Sequence, residues 1–158
     1  MTNKRRILIC AIALALVIGT DIASVSKARL VSGQVVYVPV YSSIYHGDRV
    51  REFNLAVTLS VRNTNMRNSI ILERVDYYDT AGKLLKHYLP GKRTLKPLES
   101  VNFLVKESDV KGGIGANFIV AWRSAAPATE PVIETIMIGT GGQQGISFTS
   151  RGVVIDED

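Results

Sequence analysis

Helical periodicity is almost absent from this 158-residue chain. No segment repeats apolar residues at helical spacing, which excludes the crossover helices of an α/β fold. Cysteine is nearly missing, with Cys10 alone, and histidine is limited to His46 and His87. One cysteine makes no intrachain disulfide, and two histidines about forty residues apart have no metal-ligand spacing. Long hydrophobic runs are also lacking. The longest, Ile7 to Gly19, has 13 residues, well short of the roughly 20 that span a bilayer as a helix. Net charge is small once the N-terminus is set aside. Residues 1–28 carry four of the 19 basic residues and one of the 14 acids, so without them the charge falls from +5 to +2. Such a balance argues against a nucleic-acid partner, which would want a strongly basic domain.

The N-terminus has its own pattern. Lys4, Arg5 and Arg6 precede the apolar run, Asp21 ends it, and Ser26-Lys27-Ala28 resembles a cleavage site. A charged start, a short apolar stretch and a small-residue end predict a secretory signal removed after Ala28. The alternative is an uncleaved anchor, and membrane contact is expected only if residues 7–19 stay in place. A lipoprotein signal is excluded because Ile9, not a small residue, precedes Cys10. A twin-arginine signal lacks its Ser or Thr before Arg5-Arg6. The predicted compartment is therefore periplasmic or extracellular. Cleavage also removes the only cysteine, leaving no thiolate nucleophile and no disulfide. Roughly 130 residues remain, enough for one core and one domain over 29–155. Asp156-Glu157-Asp158 reads as a frayed acidic end.

Within that domain, alternation of apolar and polar residues recurs. Residues 34–41 are β-branched and aromatic, with Pro39 marking an edge or first strand. Residues 51–64 form the clearest strand, with Phe53, Leu55, Val57, Leu59 and Val61 on the buried face. Residues 70–78 follow, with Val75 and Tyr77 inward and Asp76 and Tyr78 toward solvent. Asp79-Thr80-Ala81-Gly82 reads as a turn, with 83–89 as the hairpin partner. A corner at 95–100 leads into 101–105. Phe118, Val120 and Trp122 alternate on the next strand, and 132–138 and 145–150 complete the set. Seven to eight short strands separated by turns predict an all-β, Ig-like antiparallel sandwich.

Five segments carry a family resemblance: VYVPVYSSIYHGD (36–48), LSVRNT (59–64), VDYYDTAGKL (75–84), GGIGANFIVAW (112–122) and GISFTSRG (145–152). Together they make the chain resemble the bacterial domain of unknown function 3124 family (DUF3124). The resemblance implies an exported or membrane-associated protein with an Ig-like sandwich, and it implies no activity.

Chemistry-bearing clusters are few. Tyr45, His46 and Asp48 surround Gly47 in a loop, where a His and a carboxylate can share a proton or a metal. One His and one carboxylate fall short of a metal's ligand set, so the pair is expected to shape its loop. Asp76, Tyr78 and Asp79 offer two carboxylates, too few for calcium, which takes six to eight oxygens. The loops holding Gly112, Gly113, Gly115 and Asn117, and Gly139 to Gly145, lack the Lys and the following helix of a phosphate cradle. Lys83, Lys86, Lys92, Arg93 and Lys96 form the one basic concentration. It is expected to be a solvated face, with anionic lipid or acidic polysaccharide as its alternative ligands. Trp122 sits in the alternation and is expected in the core rather than on a sugar.

These observations predict an exported binding or structural module of the cell envelope, with no catalysis and no cofactor. Its partner would be an envelope protein or surface component, met by loops presented on a rigid sandwich. The alternative is a periplasmic enzyme or metal-binding protein that joins His46 to carboxylates from other strands.

Overall fold

The structure is a computed structural model that describes residues 28–48, 50–141 and 145–158. The expected export segment at 1–27 lies outside the described residues, as do Gly142 to Gln144 of the second Gly-rich loop. Among the described residues no helix is long and apolar enough to cross a membrane.

The described residues form twelve strands, more than the seven to eight expected because several are short pieces of one run: β1 (Leu30–Pro39), β2 (Ser43–His46), β3 (Arg51–Asn54), β4 (Ala56–Arg62), β5 (Ile70–Tyr78), β6 (Leu84–His87), β7 (Arg93–Leu95), β8 (Ser100–Val105), β9 (Asn117–Thr129), β10 (Val132–Gly139), β11 (Ile146–Arg151) and β12 (Val153–Glu157). One sheet runs β12-β1-β9-β5-β6, with β7 also on β5; the second runs β11-β10-β4-β8; β2 and β3 form a separate hairpin. All pairings are antiparallel. The expected all-β sandwich is the architecture observed.

The alternation read from the sequence is what closes it. Leu55, Val57, Leu59 and Val61 are fully buried from one sheet. Val38, Leu72, Val75, Phe118, Val120 and Trp122 meet them from the other. Trp122 is a core residue, as its place in the pattern predicted. At the open edge between β6 and β8, Tyr88 turns inward. Its hydroxyl donates to the Leu104 carbonyl at 2.8 Å, and its ring meets Phe103 and Phe118 edge-on. Burial pushes the Tyr88 phenol up to about 12, so it stays a neutral donor.

Four expectations need correction. Residues 51–64 are two strands, because the chain leaves the second sheet at Leu55, whose N–H donates to Ser42. Phe53 therefore sits half-buried on the β2–β3 hairpin instead of in the main core. Pro39 marks the first strand and not an edge, since β1 opens the strand order but lies between β12 and β9. The Val40 N–H turns toward β9 to reach Ala116. By alternation the Pro39 nitrogen faces the other way, past the point where β12 pairing stops at Val153. Asp76 is buried, at 4% exposure, because His87 stands directly across from it and covers its carboxylate. Residues 156–158 are not frayed: Val153–Glu157 is a sheet strand, and the Asp158 N–H donates to Gly33.

The chain reaches β12 by crossing between the sheets at Gly152. A Cβ there would lie 2.6 Å from Cγ1 of Val36 and 3.2 Å from the Ile133 carbonyl oxygen. Only glycine permits so close a crossing. Gly152→Ala is expected to lower stability by about 1–3 kcal/mol, the usual range for overpacking a tight site. A urea melt of the purified variant checks this.

Candidate functional site

Strand directions bring the loops of interest to one end of the sandwich. β1 ends there, and β5 hands over to the Asp79–Gly82 turn. β8 exits there into the loop that starts β9, and β10 ends there in the Gly139 loop. The β2–β3 hairpin springs from the same end. Sequence reasoning had not established which loops share an end.

Hydrogen bonds latch three of these segments together. The Gly113 carbonyl accepts from both the N–H and the hydroxyl of Ser42, each at 3.1 Å. The Gly112 carbonyl accepts from the N–H and the hydroxyl of Thr80, each at 2.9 Å, and the Gly115 N–H donates to the Thr80 hydroxyl oxygen at 2.9 Å. Gly112 has no room for a side chain, since a Cβ would overlap the Tyr77 hydroxyl. That hydroxyl is buried beside the Ser42 side chain, which already donates to Gly113. Burial raises its pKa, the neighbouring Ser42 hydroxyl works against the rise, and the carboxylates of Asp109 and Asp79 add to it. The Asp79 side chain accepts from the N–H groups of Ala81 at 2.9 Å and Lys83 at 2.8 Å. Gly82 takes the positive φ of 77° that the turn needs. Both features were read from the sequence.

The Gly139 loop is held differently. A Cβ on Gly139 would fall 2.1 Å from the Phe53 ring, and Gly141 also packs on that ring. Phe53 thus clamps the β2–β3 hairpin to the end of β10. The tip of the hairpin carries the first predicted cluster, with His46 and Arg51 on the Phe53 face and Tyr45 on the opposite one. Tyr45, His46 and Asp48 are all exposed. His46 lies across from Arg51 and meets the Phe53 ring edge-on at 5.9 Å. A shallow concavity of about 250 Å³ is lined by His46, Gly47, Asp48 and Arg51. No set of three His, Cys, Asp or Glu side chains converges among the described residues. This constellation presents an imidazole, a carboxylate and a guanidinium, and no side-chain hydrogen bond to His46 is formed among the described residues.

The second predicted cluster divides. Tyr78 and Asn117 are register partners at the top of β5 and β9, both half-buried. Asp79 is committed to its turn, and Gly113 and Gly115 to the latch. Asp76 pairs with His87, Nδ1 to Oδ1 at 2.7 Å, while Arg74 Nε approaches the other oxygen at 3.9 Å. Sequence reasoning missed this pair. Its signal was the hairpin itself, but a register shift between Tyr77 and Tyr78 moves His87 opposite Asp76.

Thr80→Val keeps the shape of the side chain and removes its hydrogen bonds to Gly112 and Gly115. The expected result is a loss of about 1 kcal/mol and faster tryptic cleavage after Lys111. Limited proteolysis against the parent protein reads both.

Comparison with known proteins supplies a family. No curated protein matches the chain. A solved structure described as "Crystal Structure of Thermotoga maritima 1070" is similar at 15% identity, over 79% of this chain and 97% of that one, with a TM-score of 0.45. A family model described as "Protein of unknown function (DUF3124)" matches residues 33–155. That span runs from Gly33 within β1 to Ile155 within β12 and includes every latched loop, and the chain belongs to the DUF3124 family.

Proposed function

We propose that this protein is an exported module of the bacterial cell envelope that binds a protein or surface component with the latched loop end. One observation carries the reading: segments from four separate crossings of the sandwich meet at one end and are tied to it by hydrogen bonds and glycine-on-ring packing. A partner that meets fixed loops does not have to order them, so less affinity is lost on binding. The exposed groups on offer are Tyr45, His46, Asp48 and Arg51. Aromatic and Arg side chains are the residue types that dominate protein interfaces. Export rests on the charged start and 13-residue apolar run at the N-terminus.

A photo-crosslinking residue placed at Tyr45 in the full chain, expressed in its native host, tests the site. Adducts are expected at Tyr45 and absent at Met66, an exposed residue beyond β4 at the opposite end. Equal adducts at both positions, or none at Tyr45, would contradict the reading. N-terminal sequencing of the same sample tests export by cleavage. A start at Arg29 is expected, and a start at Met1 would replace the free module with a tethered one.

A further inference from the structure

The basic hairpin borders a cleft on the flank of the sandwich, away from the loop end. Between β6 and β7 the chain bulges off β5, and residues 88–93 border, with Phe103 of β8, an open cleft of about 490 Å³. That falls within the roughly 300–1,000 Å³ of small-ligand clefts. Its floor is aromatic, from Tyr88 and Phe103, and its wall is Leu89 and Pro90. The N–H groups of Leu89 and Gly91 bond to no other backbone group among the described residues.

Cations crowd this floor. Lys86 Nζ sits 4.0 Å from the centre of the Tyr88 ring and has no carboxylate partner among the described residues. Arg93 lines the cleft, and its contact with Glu99 is a long 3.8 Å between exposed side chains. Such a pair exchanges readily for a better one. Lys92 pairs with Glu73 at 2.6 Å, but Arg123 already holds the same oxygen, so Glu73 neutralises only one of the two. Lys86, Lys92 and Arg93 therefore stand at the cleft without a close carboxylate of their own: Glu99 is 3.8 Å from Arg93, Glu73 is shared with Arg123 on the outer face of the sheet, and Asp109 reaches Tyr88 only through its field.

We propose that this cleft binds an acidic saccharide, with a pyranose ring on the Tyr88 ring and its carboxylate held by Lys86 and Arg93. The hydrophobic C–H face of a sugar suits an aromatic floor, and a uronate suits a cationic rim. Lys86 moves from the ring to the ligand carboxylate, trading an exposed cation–π contact for a charge-assisted hydrogen bond. A membrane surface fits less well, because Tyr88 and Phe103 are recessed and reach no planar interface. An acidic peptide fits less well too, because Leu89 and Gly91 offer too few free N–H groups to template a strand.

The test is calorimetric titration of the full protein with tetragalacturonate and a heparin-derived tetrasaccharide. A neutral galactose tetramer, a tetraglutamate peptide and phosphatidylglycerol vesicles serve as comparators. Binding of at least one acidic saccharide is expected, ten times or more tighter than the neutral one. Lys86→Gln combined with Arg93→Gln is expected to weaken it tenfold or more. Lys83→Gln combined with Lys96→Gln removes the same charge outside the cleft and is expected to change it less than threefold. All four positions are exposed, so each variant is expected to melt like the parent. The proposal is overturned by absence of saccharide binding, by equal binding of the neutral tetramer, by equal loss in both double variants, or by preferential binding of the peptide or vesicles. None of these outcomes bears on the loop end.

Discussion

Two sheets must press together across a dry core with no cysteine among the described residues to staple them. Everything else in the molecule depends on that packing. It is made by single-file alternation, in which every second residue from Val57 to Val61 on β4 and from Phe118 to Trp122 on β9 is buried, with Ile70, Leu72, Val75 and Tyr77 of β5 beside them. Each such Val, Leu or Phe contributes roughly 1.5–3 kcal/mol by leaving water. The sum offsets the conformational entropy lost by the chain. Trp122, Tyr77 and Phe118 supply the largest volumes, and Tyr88 seals the edge where β6 and β8 would otherwise gape.

The polar contacts serve the same packing. Thr135 is buried on β10, and its hydroxyl donates to the Pro39 carbonyl at 2.8 Å, joining the two sheets. At the end opposite the loops, Asn63 donates to the carbonyls of Asn68 and Lys96 and accepts from Asn65. Glu130 and Glu157 both accept from Gln34, and both pair with Arg29. These groups close the far end, so the loop end stands on a frame fixed from below.

Much of this was legible in the sequence. Alternation located the strands and their faces from Leu55 to Val61 and from Phe118 to Trp122, because burial on one face is a local property of a strand. The Asp79–Gly82 turn was legible because its residues satisfy their own backbone. What escaped was set by partners distant in sequence. Asp156-Glu157-Asp158 looked frayed because its acids have no local reason to be ordered; Arg29 and Gln34 supply one more than 120 residues away, at Glu157. Asp76 looked exposed because a register shift, invisible in composition, brings His87 over it. Of the candidate site, the residues were legible and their meeting was not. Tyr45, His46, Asp48, Gly113 and Gly115 were singled out one loop at a time, while the latch runs through Ser42 and Thr80, which carried no signal of their own.

The functional reading rests on the loop end being preformed rather than ordered by its partner. Native-state amide hydrogen exchange of the free protein measures this directly. If the latch holds, the amides of Ser42, Thr80 and Gly115 are protected to within about tenfold of Val120 in the central strand β9. Exchange of these three at the rate of an unstructured peptide, with Val120 still protected, would contradict the account.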